Sequence, residues 1–224
     1  MIEFTDVSHA YGDRVVLREV SLTLAERRIG IVGANGSGKS TLARMINALV
    51  IPDSGTVTVD GLTVAKNKRE IRRRVGFIFS DPDRQIIMPT VREDIELSLR
   101  RTDLGKVARA DRALEVLARF GLGDHADHPA QRLSGGQKQL LALASIFVTD
   151  PAIIVADEPT TLLDLRNTRM LTDVFATLDE QLVVVSHDLD ILADFDRVIV
   201  VDEGRVVADD EPRPALAAYR EMMS

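Results

Sequence analysis

The feature that most restricts this chain is Gly33-Ala34-Asn35-Gly36-Ser37-Gly38-Lys39-Ser40, a GxxxxGK[ST] loop between an apolar run and a helical pattern. Ile29-Gly30-Ile31-Val32 reads as a buried strand entering the loop, and residues 40–50 read as the helix that leaves it. Small residues let the backbone wrap a polyphosphate with its amides pointing inward, and the helix N-terminus adds a positive dipole end. In such a loop Lys39 reaches the β- and γ-phosphates, the Ser40 hydroxyl ligates Mg²⁺, and Thr41 adds a hydroxyl near the α- or β-phosphate. Strand, glycine loop and helix in that order require an α/β core.

Two further apolar runs end in chemistry. Ile153-Ile154-Val155-Ala156 leads into Asp157-Glu158, and Val183-Val184-Val185 leads into Ser186-His187. Buried strands of an α/β sheet deliver their C-terminal residues to the crevice where ligands bind. Asp157 is placed to hold Mg²⁺ through water, and Glu158 to orient or polarise an attacking water. His187 can contact a γ-phosphate; a histidine alone would more readily be a capping or core residue. His125 and His128 lie in a polar loop, Gly123-Asp124-His125-Ala126-Asp127-His128, which reads as solvated loop rather than a metal site.

The remaining pattern is strand and helix alternation with a helical insert. Residues 1–8 and 15–25 alternate as antiparallel strands around a turn near Gly12-Asp13, and residues 56–60 and 75–79 form two more strands around a basic helix at 66–74. Residues 90–121 read as helix, opened by the capping-box spacing of Thr90-Val91-Arg92-Glu93. An apolar helix follows residue 133 to about 149, and helices are expected at 165–178 and 189–195. A hairpin over 197–208, turning at Glu203-Gly204, and a short helix complete the pattern.

Composition narrows the partners. The formal charge of −7, from 28 basic and 35 acidic residues, is the wrong sign for a general nucleic-acid surface. With no cysteine, neither a disulfide framework nor a thiol zinc site can form. The start is acidic with no apolar run of the secretory type. The longest apolar stretches, 140–144 and 182–185, are far short of the roughly 20 residues of a membrane helix, so any membrane span must come from other chains.

Leu133-Ser134-Gly135-Gly136-Gln137 fixes the family. Ser134 can cap the helix that follows, with Gln137 at capping-box spacing, and two glycines leave amides uncovered, which makes a second anion site. With the segments above in the same order, the chain resembles the ABC ATPases over nearly its whole length. The resemblance implies an α/β fold with the P-loop NTPase core of the ABC ATPase type, an antiparallel β subdomain and an inserted helical subdomain. It implies a single domain over 1–224, with core and β subdomain in 1–89 and 150–224 and the helical subdomain at about 90–149. It implies ATP and Mg²⁺, and a head-to-tail dimer in which Ser134, Gly135, Gly136 and Gln137 of one copy meet the γ-phosphate held by Asn35, Gly36, Ser37, Gly38, Lys39, Ser40 and Thr41 of the other. Lys39, Glu158 and His187 are then the catalytic groups, and Ser40 and Asp157 the metal ligands. Tyr11 stands where the family stacks an aromatic on adenine, and Asp164 is retained in the dimer-contact loop, where Leu162 replaces a small residue.

Family members carry glutamine after the strand at 75–79, and here that position is Ser80. Either Ser80, acting over a shorter reach or through water, or Gln85, if its loop folds back, would take the glutamine's place near the metal. The run Asp81-Pro82-Asp83-Arg84-Gln85 through Thr90-Val91-Arg92-Glu93-Asp94, with Gln137-Lys138-Gln139, is similar to the ATPases of energy-coupling-factor importers of vitamins and transition-metal ions. The short chain and Ser80 look most like the biotin transporter's ATPase. That implies a peripheral subunit on the cytoplasmic face of the bacterial membrane. Its partners would be a second ATPase subunit (a homodimer favoured), a transmembrane coupling subunit and a membrane-embedded solute-binding subunit. The rival readings are a non-transport ABC ATPase and a nucleotide-gated regulatory subunit.

Overall fold

The computed structural model describes residues 1–223. The apolar runs become neighbouring strands of one sheet. β3 (Arg28–Val32), β7 (Ile153–Asp157), β8 (Gln181–Val185) and β9 (Arg197–Asp202) are buried almost end to end, as expected of parallel strands covered on both faces. With β6 (Val75–Ile78) and β10 (Arg205–Asp210) they form a six-stranded sheet ordered β10-β9-β3-β8-β7-β6. β3, β7, β8 and β9 run parallel, with Ile31 opposite Val185 and Asp157 also opposite Val185. β10 returns antiparallel to β9. The exits of β3, β8 and β7 therefore stand side by side at one sheet edge.

A second, antiparallel sheet takes the order β2-β1-β4-β5, from β1 (Ile2–Tyr11), β2 (Arg14–Leu24), β4 (Ser54–Val59) and β5 (Leu62–Thr63). Its strands alternate: Leu17, Val20, Leu22 and Leu24 of β2 are buried between exposed neighbours. β1 is bulged near Asp6 and β2 near Glu19, both at positive φ.

By internal packing the chain divides into two units. One holds residues 1–77, 152–158 and 175–223, which include both sheets, α1 (Lys39–Ile46), α2 (Lys68–Arg74), α7 (Leu189–Leu192) and α8 (Pro212–Met222). The other holds residues 78–151 and 159–174, with α3 (Val91–Ser98), α4 (Lys106–Arg119), α5 (Gly135–Phe147) and most of α6 (Leu165–Ala176). In the helical unit α3, α4 and α5 pack on one another, with Phe120 and Phe147 ring centroids 5.2 Å apart.

Three helices are shorter than their sequence patterns. The stretch 90–121 is two helices, because Thr102 turns extended and donates its hydroxyl to the Leu99 carbonyl (2.7 Å), and Gly105 restarts the chain as the N-cap of α4. α1 stops at Ile46 rather than 50: Ala48 takes φ 56, and the Leu49 and Val50 amides both turn back to the Arg44 carbonyl (3.0 and 3.3 Å). The helix expected over 189–195 is the single turn α7, opened by the Asp188 carboxylate accepting from the Asp190 amide at 3.2 Å.

Candidate functional site

The loop between β3 and α1 is held shut from below. At Gly33 a Cβ would stand 2.0 Å from the Val201 carbonyl oxygen, and at Gly38, with φ +110, it would stand 2.7 Å from that of Val16. No side chain fits at either point, so the loop can close only on glycine. The Lys39 ammonium is tucked into the loop, donating to the carbonyls of Gly33 (2.7 Å) and Ala34 (2.8 Å). Burial lowers its pKa, opposed by the fields of Glu158 and Asp157. Asn35 and Gly36 are exposed at the loop's crest. Ser37 is 4% exposed, with its hydroxyl unpartnered among the described residues, and its amide donates to the Ala34 carbonyl at 3.1 Å.

At the base, Ser40 Oγ donates to Asp157 Oδ1 at 2.7 Å, and Arg44 Nη2 donates to Oδ2 at 3.0 Å. Asp157 is only 1% exposed. A buried carboxylate beside a hydroxyl is an oxygen donor set that suits a small hard divalent cation, so the residues present fit Mg²⁺. Arg44, one helical turn beyond Ser40, balances the carboxylate charge, a pairing across 113 residues that no local spacing signals.

Glu158 follows with φ 55, rare for a residue with a side chain. Its amide donates to the Val185 carbonyl (2.8 Å), so the chain turns sharply at the sheet edge. That turn brings its Oε2 to 2.6 Å from His187 Nδ1 and 3.3 Å from the His187 amide, which joins the ends of β7 and β8. Tyr11, 51% exposed, meets His9 edge-on with ring centroids 4.7 Å apart. A cavity of about 360 Å³ connects these parts, lined by Tyr11, Val16, Gly36, Lys39, Thr41 and Glu158 among others. Arg14 lines it as well, with Nη2 3.3 Å from the Gly36 carbonyl; in the sequence Arg14 and Val16 carry no signal beyond their place in a strand.

The helical unit carries the other group of site residues. Ser134 caps α5 in a full capping box: its Oγ accepts from the Gln137 amide (3.2 Å), and its amide donates to Gln137 Oε1 (2.9 Å). Nothing lies within 4 Å of a Cβ at Gly135, whereas one at Gly136 would stand 2.9 Å from Asn167 Nδ2. The Asp164 carboxylate accepts from the Asn167 amide at 2.8 Å and so caps α6, while Leu162 is 48% exposed.

Ser80 is half-buried just beyond β6. Gln85 is fully engaged: Oε1 accepts from the Phe79 amide (3.3 Å), and Nε2 donates to the Ala142 carbonyl (2.9 Å) and to Ser145 Oγ (3.3 Å). It thus ties its own loop to α5. Asp83 receives the Lys138 ammonium at 2.7 Å, and Asp81 receives Arg84 at 3.1 Å.

Comparison with known proteins agrees with this geometry. The ABC transporter family model matches residues 17–161. An ABC transporter ATP-binding protein of Deinococcus radiodurans is 50% identical over 224 residues, covering 100% of this chain and 99% of that protein. The biotin transport ATP-binding protein BioM of Rhizobium etli is 44% identical over 221 residues, covering 99% and 98%. Among solved structures, the dimeric post-hydrolysis state of the ATP-binding cassette MJ0796 bound to ADP and Pi has a TM-score of 0.83 at 30% identity, covering 95% of this chain and 99% of that one. The chain therefore belongs to the ABC transporter ATPases and resembles those of the energy-coupling-factor importers.

Proposed function

We propose that this subunit hydrolyses ATP between two copies of itself, head to tail, and drives uptake of a vitamin, biotin in the first instance, through a transmembrane coupling subunit on the cytoplasmic face of the membrane. The observation that carries the reading is the junction of Ser40, Asp157, Glu158 and His187 at one sheet edge, beside a glycine loop shaped for polyphosphate. A second anion-binding turn, the Ser134 cap, belongs to a separate packing unit.

In this mechanism the amides of residues 35–41 and the Lys39 ammonium take the β- and γ-phosphates, and the exposed Tyr11 ring offers its face to adenine. Ser40 and Asp157 would hold Mg²⁺, which supplies charge neutralisation at the β- and γ-oxygens. Glu158 orients the attacking water and draws on its proton. His187, tied to Glu158, donates toward the γ-phosphate; ATP and water become ADP and phosphate. Ser134 and the α5 N-terminal amides of the second copy complete the γ-phosphate's surroundings, so hydrolysis and pairing are linked. Separation after hydrolysis would pull on the membrane subunit.

Docking is assigned to the cavity of about 290 Å³ in the helical unit, lined by Asp83, Ile86, Ile87, Met88, Pro89 and Lys138 among others. Ile87 is 74% exposed there. Asp81 and Asp83 already hold cationic partners, so an arginine from the membrane subunit would have to displace Arg84 or Lys138, and the apolar contact through Ile87 is the stronger anchor. Among the described residues no helix is long and apolar enough to cross a membrane. The test is to purify a tagged chain from membranes. Co-purification of a coupling subunit and a biotin-binding membrane protein, lost with Ile87→Glu, supports the proposal. A chain that comes away with no membrane partner refutes it.

A further inference from the structure

The signature turn, Ser134–Gln137 at the start of α5, is braced by two histidines to which the reaction assigns no part. Gln137 Nε2 lies 3.0 Å from His125 Nε2, and His125 Nδ1 lies 2.9 Å from His128 Nδ1, with ring centroids 5.1 Å apart. The protonation pattern of this chain is fixed from its inner end. The Ser134 amide can only donate, so the Gln137 atom facing it at 2.9 Å is the carbonyl oxygen, and the NH₂ group must face His125. His125 Nε2 therefore accepts and carries no proton. Its proton sits on Nδ1 and is donated to His128 Nδ1, which leaves the proton of His128 on Nε2. Both rings are neutral in the only pattern that makes every bond. A proton on His125 Nε2 sets N–H against NH₂, and one on His128 Nδ1 sets N–H against N–H.

We propose that His125, backed by His128, is a positioning residue for the signature turn and makes nucleotide-driven pairing of two chains sensitive to acid. The inference rests on the reading that the Ser134 turn engages the nucleotide of a second copy. A proton on His125 Nε2 is set against the Gln137 NH₂ group, and turning the Gln137 side chain to relieve it takes Oε1 away from the Ser134 amide, so protonation loosens the capping box that orients the α5 amides. Charged groups stand on the elements packed here. On the loop itself are Asp124 and Asp127, the latter bound by Arg92 of α3 at 2.7 Å. Glu93 is held in the Thr90 cap and Glu96 stands 3.8 Å from Arg92. On α4, Arg119 lies over the Phe147 ring at 5.7 Å, and on α5, Lys138 is bound to Asp83.

The experiment measures ATP-driven dimer formation by light scattering in the full chain carrying Glu158→Gln, which is meant to trap the paired state, at pH 7.5 and pH 5.5. ATP's own terminal phosphate titrates in this range, so the diagnostic is the difference between chains at each pH. His125→Gln keeps an acceptor where Nε2 stood and does not titrate. It is expected to pair like its parent at pH 7.5 and to keep pairing at pH 5.5, where the parent loses it. His125→Ala is expected to weaken pairing at pH 7.5 by about fivefold, the worth of one ordinary hydrogen bond. Ser134→Arg tests the underlying reading: if it pairs normally, the head-to-tail arrangement fails. If Ser134→Arg blocks pairing while His125→Gln follows its parent at both pH values, the arrangement stands and the positioning role of His125 is overturned.

Discussion

Replacing Glu158 by glutamine removes a charge and leaves the frame that holds it. The turn at φ 55 and the amide bond to Val185 (2.8 Å) belong to the backbone, so both survive. The glutamine carbonyl oxygen can still accept from the His187 amide, now 3.3 Å from Oε2. Lys39 keeps its bonds to the Gly33 and Ala34 carbonyls and Ser40 its bond to Asp157, so ATP should bind with close to the parent's affinity. What disappears is the carboxylate 2.6 Å from the His187 ring, the group proposed to accept the water's proton. General-base assistance of this kind is worth about 10²–10⁴-fold in rate, or roughly 3–5 kcal/mol of barrier. Steady-state phosphate release should fall by at least about 100-fold, while titration with a fluorescent ATP analogue gives the parent's affinity. Turnover within threefold of the parent would refute the role of Glu158. So would a loss of turnover matched by an equal loss of binding, because the residue would then be holding the loop.

Three other outcomes follow from the geometry. Gly38→Ala puts a side chain at φ +110 and a Cβ 2.7 Å from the Val16 carbonyl, so it should destabilise the fold by about 1–3 kcal/mol in thermal unfolding and weaken ATP binding. Gln85→Ala breaks the ties to Phe79, Ala142 and Ser145 and should lower stability by about 1–3 kcal/mol; if stability is untouched and only hydrolysis is lost, Gln85 serves the metal instead. Burial raises the Glu26 carboxyl, but backbone hydrogen bonds and Arg197 outweigh it and hold the pKa below its ordinary value. A depressed carboxyl contributes stability above its unfolded pKa and loses it as pH falls through the folded one. Glu26→Gln should therefore be less stable than the parent at pH 7, with the gap closing below about pH 4, as followed by melting temperature against pH.

Local signals made much of this molecule readable before any coordinates. Continuous apolar runs at 29–32, 153–156 and 182–185 read as buried strands and stand as neighbours in the parallel sheet, and both capping boxes, at Thr90 and Ser134, form with the partners their spacing implied. Pairwise chemistry across long separations was not readable. Gln85 reaches Ala142 across 57 residues, and Arg44 reaches Asp157 across 113, so no periodicity in the chain announces either bond. The early end of α1 was hidden for another reason: Ala48, a good helix former, is placed at positive φ by what surrounds it, and propensity yields to tertiary packing there. Gln85 shows why residue type alone left two options for the missing glutamine. Its amide is satisfied at both ends by α5 and its own strand exit, a use that composition cannot distinguish from a place at the metal.

The central claim is that each hydrolytic centre is made from two chains, and mixing two disabled variants tests it. Glu158→Gln keeps an intact signature turn, and Ser134→Arg keeps an intact phosphate loop with its Glu158. In a head-to-tail pair of the two, one site receives both lesions and the other receives none. Random pairing should then restore up to about a quarter of the parent's ATP turnover. A mixture no more active than either variant alone would contradict it.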